Sequence, residues 1–360
     1  MNFLKRLFGL RPMPDPPTVR PSRGASTPSP ETPPGSSPPP PILPSRSATS
    51  AELGPNPIQV FDQEGREHFI SREEWRQSVL PGILEAHWLQ PDLLYVDIVA
   101  ALDDGFRAEV ALAAKQLHAI DPKPARGASL RAIVLMEEGQ LDEAEKVLRD
   151  FLARHGEEGA VLTNLAKVAA LRQDPAGAET LLERALEVDP NQGNAVAWYE
   201  AICRERDGEA AGLAALRRVA DFPGSWRAQL GLARAALAGG DLAAALALYR
   251  DSLATAADAG GAASPVTPVP AELLLQMSGD LGQRETREHL QAIVELVEPQ
   301  FDASVHGLEV GNNLLRARLE LGQPEAARRI LDRLLAGNRP DWKGDLALWD
   351  AKLKEPSPIH

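Results

Sequence analysis

The chain of 360 residues carries 51 acidic and 38 basic side chains, a formal net charge of −13. That balance excludes the basic footprint of a nucleic-acid-binding protein. The lone cysteine, Cys203, excludes an intrachain disulfide and a cysteine-based zinc site, and no stretch approaches the ~20 apolar residues that cross a bilayer. Apolar residues make up 44% of the chain and aromatic ones only 5%, so a core must come mainly from Ala, Leu and Val, which suits close-packed helices.

In chain order, residues 1–11 come first. Phe3, Leu4, Leu7, Phe8 and Leu10 alternate there with Lys5, Arg6 and Arg11, and no acid intervenes. In helical form this segment puts an apolar stripe beside a basic one. The charges interrupt what would be the apolar core of a signal peptide, so the reading is a frayed start, with a peripheral membrane contact through Phe3, Leu4, Leu7 and Phe8, or a docking peptide on a long tether, as the alternatives. Sixteen of the 31 prolines fall in residues 1–57, with Ser, Thr and Gly around them. Such a segment buries too little surface to offset its ordering entropy and is expected to be disordered. It holds six of the Lys and Arg and three of the acids, which leaves −16 for residues 58–360.

Residues 58–70 predict two short strands around a turn ending at Gly65. Ser71 with Glu74 forms a capping box that opens a helix toward Trp88, and Pro81 is expected to kink or divide it. Residues 58–90 thus make an N-terminal cap on the remainder of the chain. From Pro91 the sequence repeats. Gly105 and Gly139 are 34 residues apart, and Gln173-Asp174 keeps the spacing without the glycine. Pro122 and Pro190 lie two periods apart with Gly156 between them, and Ala144 and Ala178 lie one period apart.

These offsets resemble those of the tetratricopeptide repeat family, of bacterial type, whose unit is a helix–turn–helix of 34 residues. The frame starts units near Pro91, Ala125, Gly159, Gly193, Trp226, Pro268 and Leu308. In unit 159–192, Leu162, Leu165, Ala166, Ala178, Leu182, Ala185 and Pro190 carry the pattern. Ala233, Gly240, Ala245 and Tyr249 carry it in unit 226–259, as do Leu314, Gly322, Ala327, Leu331 and Leu334 in unit 308–341. Other units depart. Unit 193–224 has Trp198-Tyr199 where a small residue is expected and Gly212 at the alanine position; unit 268–301 has Arg287 there; and Ala256–Pro268 reads as a flexible insertion. Trp342, Leu346, Trp349 and Leu353 form an apolar stripe suited to closing the last repeat.

The expected fold is therefore all-α: a helix–turn–helix solenoid of about seven pairs over residues 91–341, with a small N-terminal β-hairpin. A capping helix comes next at 342–355, then a tail at 356–360. The resemblance implies a non-enzymatic scaffold that binds another protein or peptide in a concave groove, in the cytoplasm, without a cofactor; the alternative is an assembly factor at the membrane periphery, tethered through residues 1–11. No nucleotide, metal or nucleophile motif is present. The scattered histidines include His68 and His87, the place for an enzyme site if there were one. Asp103-Asp104-Gly105 reads as a helix-ending turn, and Cys203 as a small core residue.

In this family the second, fifth, sixth, ninth, twelfth and thirteenth positions of each unit face inward. Here they give Arg126, Asn164, Lys167, Asn194, Arg204, Arg227, Arg234, Gln276, Asn312, Asn313 and Arg316, with the acids Asp92, Glu137, Glu205, Glu272 and Glu320 among them. Asn164 and Asn313 hold the sixth position, where chaperone-adaptor members of the family clamp a peptide carboxylate with an asparagine and nearby cations. Lys167 and Arg316 each come one helical turn later, though the family's other clamp offsets are not reproduced. The resemblance thus implies a partner with an acidic or carboxylate-bearing segment. Trp226 with Arg227 is read either as a binding anchor or as an ordinary repeat tryptophan.

Overall fold

The computed structural model describes residues 57–61, 67–259 and 267–354. The expected disorder of residues 1–57, the amphipathic start, the turn at Gly65 and the tail at 356–360 lie, wholly or nearly so, outside these residues. The chain forms two compact units, which part at Ala185 and Leu186.

In the first unit, β1 (Ile58–Phe61) pairs antiparallel with β2 (Glu67–Ile70), with Ile58 opposite Ile70 and Val60 opposite His68. Side chains alternate across a strand, so Ile58, Val60 and Ile70 turn into one buried cluster with Trp75, Leu94, Ile98 and Phe106. The Ser71 hydroxyl accepts from the Glu74 amide at 3.1 Å, as the capping box requires. The helix it opens then widens: residues Trp75–Val79 are π-helical, and the Leu80 amide reaches back to the Trp75 carbonyl. Pro81 lies in the first turn of α1 (Leu80–Ala86). A proline cannot donate and its ring crowds the preceding turn, so the break expected at Pro81 takes the form of a π-bulge. Arg72 donates to the Asp104 carbonyl and lies 4.6 Å over the Phe106 ring, fastening this cap to the turn that ends the helix Pro91–Asp103.

Three helical pairs come next: α2 (Pro91–Asp103) with α3 (Ala111–Ile120), α4 (Pro124–Glu137) with α5 (Leu141–His155), and α6 (Gly159–Leu171) with α7 (Pro175–Val188). Each pair turns on the same device. A residue with positive φ ends the first helix, and the next amide bonds the carbonyl five residues back: Phe106 to Ala101, Gln140 to Leu135 and Asp174 to Ala169, at 2.8–3.0 Å. Gly105 and Gly139 hold that left-handed position, and Gln173 holds it without being glycine, at φ 65°. Ala144 and Ala178 are fully buried where the two helices of their pairs cross.

In the second unit the pairs are α8 (Gly193–Asp207) with α9 (Glu209–Ala220), and α10 (Arg227–Ala238) with α11 (Leu242–Ala259). Next come α12 (Ala271–Asp280) with α13 (Leu290–Val297), and α14 (Ala303–Glu320) with α15 (Pro324–Ala336). The same i to i−5 bond recurs at Gly240 and Gly322. Within α14, Gly307 breaks the helical conformation, so the repeat helix proper starts at Leu308. Gly212 stands where alanine was expected because a Cβ there would meet the Glu200 carboxylate at 2.8 Å and the Arg204 side chain at 2.9 Å. Arg287 is exposed on a 3-10 segment, Arg284–His289, and the helix it was assigned to is cut to Leu290–Val297. Consequently α12 packs mainly along α14 rather than against α13. The insertion expected from Ala256 starts later, because α11 continues to Ala259; residues 260–266 are outside the described set. A 3-10 turn at Pro340–Trp342 leads into α16 (Lys343–Lys354), and Trp342, Leu346, Trp349 and Leu353 cover the end of this unit's core.

Candidate partner-binding surface

The inward positions are built on the first helix of each pair. In the first unit these are α2, α4 and α6. Arg126, in the first turn of α4, grips Asp121 with two bonds of 2.8 Å, reaches Asp92 of α2 at 2.6 Å and stacks 4.9 Å over Tyr95. The Asp121 side chain is fully buried. Its bonds, first among the causes, hold the Arg126 pKa above the ordinary guanidinium range. Arg126 therefore fastens α2 to α4 and has little left to offer a ligand. Sequence alone did not single out Asp121. The recurring Asp-Pro at 121–122 and 189–190 was the available signal, since each aspartate also turns its own loop by accepting the amide two residues on.

Lys167 on α6 is different. Its residue is only 7% exposed, and its ammonium lies 4.0 Å from the Glu137 carboxylate, which Arg107 also holds at 3.0 Å. Among the described residues it makes no hydrogen bond. Burial, the leading cause, lowers its pKa from the ordinary lysine value, with the attraction of Glu137 working the other way. Asn164, one turn earlier, spends one donor on the Ala160 carbonyl at 2.9 Å. Its amide oxygen accepts nothing among the described residues.

The second unit uses most of its inward residues to join neighbouring first helices. Arg227 of α10 pairs with Glu272 of α12 and donates to the Asn191 carbonyl at 2.6 Å. Trp226 is buried beneath the Arg227 guanidinium, which takes it out of the role of exposed anchor. Arg234 binds Asp280 through both carboxylate oxygens, at 2.8 and 3.0 Å, and approaches the Gln276 carbonyl. The buried Tyr249 hydroxyl donates to the same Asp280 at 3.0 Å. Burial raises the pKa of Asp280, against the pull of Arg234 and Tyr249, and burial likewise raises that of Tyr249. Gln276 contacts Glu272 on its own helix. Asn313 of α14 donates to Ser278 of α12 at 3.2 Å, and Asn312 accepts from the Trp349 indole of α16 at 2.8 Å. Arg204 pairs with Glu200 at 2.7 Å. Asn194 and the exposed Arg316 have no partner among the described residues. The structure thus brings Arg227, Arg234 and Gln276 together, and separately Asn313 with Ser278. Asn164 with Lys167 stays a local pair on one helix face.

Asn191, which sequence reasoning missed, is the hub of this unit's first junction. Its carboxamide oxygen accepts the Trp226 and Arg227 amides at 2.9 and 3.0 Å, and its NH2 donates to the Gly224 carbonyl at 2.8 Å. It caps α10 from 35 residues away, a role no local pattern reveals.

Two family models, each described as a tetratricopeptide repeat, match residues 135–199 and 204–262. Residues 135–199 and 204–262 therefore carry tetratricopeptide repeats. Such repeats are protein-interaction scaffolds. No curated protein matches the sequence. Among solved structures, the chain resembles the Cut9–Hcn1 hetero-tetramer of APC/C at 17% identity and a TM-score of 0.32, over 75% of this chain and 51% of that one. It resembles Naa15/Naa10 bound to HypK-THB at 15% identity and 0.32, over 74% and 40%. It also resembles a tetratricopeptide repeat protein from Parabacteroides merdae at 12% identity and 0.29, over 74% and 99%. The chain therefore spans about half or less of the first two. Among the described residues, no helix is long and apolar enough to cross a membrane, and no group of three His, Cys, Asp or Glu is placed to hold a metal ion.

Proposed function

We propose that this tetratricopeptide protein is a non-catalytic scaffold whose inward helix faces hold a segment of another protein that presents carboxylates. The observation that carries the proposal is the Lys167 ammonium: nearly buried, unbonded, and only loosely opposed by Glu137 at 4.0 Å. A buried cation with unfilled donors has lost solvation without recovering it in hydrogen bonds. An incoming carboxylate would restore those bonds, and Asn164 stands one turn away on the same face. In the second unit, exposed Arg316 and half-buried Asn194, neither with a partner among the described residues, offer further groups, whereas Arg126, Arg227 and Arg234 are occupied by structural acids and shape the surface rather than bind. The His87 ring contacts Asp97 at 2.5 Å, a pair that fastens α1 to α2, and nothing about it favours an enzymatic reading. The test is peptide binding by the full chain, comparing acidic octapeptides with their neutral amide counterparts. A preference for the acidic set, reduced about ten-fold or more by Lys167→Met, supports the proposal, since one charge-assisted bond is worth about 1.5–3 kcal/mol. Indifference to peptide charge contradicts it.

A further inference from the structure

A cleft of about 450 Å³ opens between α1 and the start of α3, in the first unit, and none of its lining residues is among the inward positions. Its floor is Leu80, Leu84 and Ala113, all buried, and its upper walls are Trp88 and Leu112. Leu112 is 68% exposed and presents apolar surface at the mouth of the cleft beside Trp88. One carboxylate stands on each rim: Glu85 on the α1 side and Glu109 on the α3 side. Glu85 has no partner among the described residues, and Glu109 has only Arg76, at 3.6 Å.

We propose that residues 3–10 of the same chain dock in this cleft as a short helix. At 3.6 residues per turn, Phe3, Leu4, Leu7, Phe8 and Leu10 fall in one arc, with Lys5 at one edge and Arg6 at the other. An apolar ridge flanked by two cations is the complement of an apolar trough flanked by two carboxylates. The lengths also agree: Leu80 to Trp88 is about two helical turns, or ~12 Å, and residues 3–10 rise about the same. Pro12–Pro57, the 46 residues between the ends, suffices as a tether. Even a Gly-rich coil of that length has a root-mean-square span of roughly 40 Å, and a proline-rich one reaches farther. Tethering sets a local concentration near the millimolar range, which favours this segment over any free partner of equal affinity. Its excess of cations suits it to a body of net charge −16.

The test is disulfide trapping in the full chain. Leu7→Cys is combined with Leu112→Cys, or with Leu348→Cys, a comparably exposed leucine of the second unit; the native Cys203 is buried and stays silent. Oxidation closes the Leu7–Leu112 pair at least ten-fold faster than the control pair, and Lys5→Glu with Arg6→Glu abolishes the difference. Both cysteine sites are exposed, so matching melting curves will confirm that the body is unchanged. Equal rates for the two pairs overturn the proposal. So does transfer of the chain onto phosphatidylserine vesicles with loss of the fast Leu7–Leu112 closure, which makes a lipid surface the occupant instead.

Discussion

At the scale of single residues, two positions show how backbone and side chain divide the work. Gln173 sits at φ 65°, in the place where four other turns use glycine. A side chain in the left-handed region costs about 1–2 kcal/mol, part of which glycine returns through its freer unfolded chain. Gln173→Gly is therefore expected to raise unfolding stability by roughly 0.5–1 kcal/mol, measured as a shift in denaturant midpoint at unchanged slope. Asn191→Ala removes the cap from α10 and leaves the amides of Trp226 and Arg227 without their acceptor. The loss should be about 1–2 kcal/mol, measured by the same denaturant titration. The break at Gln173-Asp174 was legible because the period persists there without glycine. The Asn191 cap was not, because its partners lie a full repeat away.

At the scale of helices, small residues set the distance between the members of each pair. Ala178, Ala245 and Ala327 are all fully buried at crossings, so enlarging one forces the helices apart. Ala327→Leu should cost about 1–3 kcal/mol, whereas Ala→Leu at an exposed helical site such as Ala351 should change stability by less than ~0.5 kcal/mol; thermal melts of the two variants check this. The 34-residue period located the first helices well: units framed at Pro91, Gly159 and Gly193 start helices at those residues. It served less well where side chains break the pattern. Arg287, a long cation at a position that needs alanine, cannot enter a helix crossing, and the pair there reorganises around α12 and α14. Of the inward residues, family position gave the helix face but not the partners. Asp121, Asp280 and Asn191, which tie up several of the expected binding groups, come from turns, helix ends and loops outside the inward frame.

At the scale of the molecule, charge and protonation are the accessible handles. His306 lies buried, its ring contacting Asp302 backbone and the Val269 carbonyl at 3.2 Å. Burial, ahead of the opposing pull of the two carbonyls, lowers its pKa from the ordinary 6.5, and burial lowers that of His118 as well. As pH falls, the unfolded chain gains these protons first, so their contribution is intact above about pH 6.5 and is lost progressively below it. Melting temperature should therefore decline from pH 7.5 to 5.5, and His306→Asn should flatten that slope. The central claim concerns the unengaged cations on the inward faces. Its most direct test is the affinity of the full chain for acidic octapeptides, measured by fluorescence anisotropy in the native protein and in Lys167→Met. The account predicts binding that weakens about ten-fold in Lys167→Met and is absent for the neutral peptides. Binding of equal strength in both proteins would contradict it.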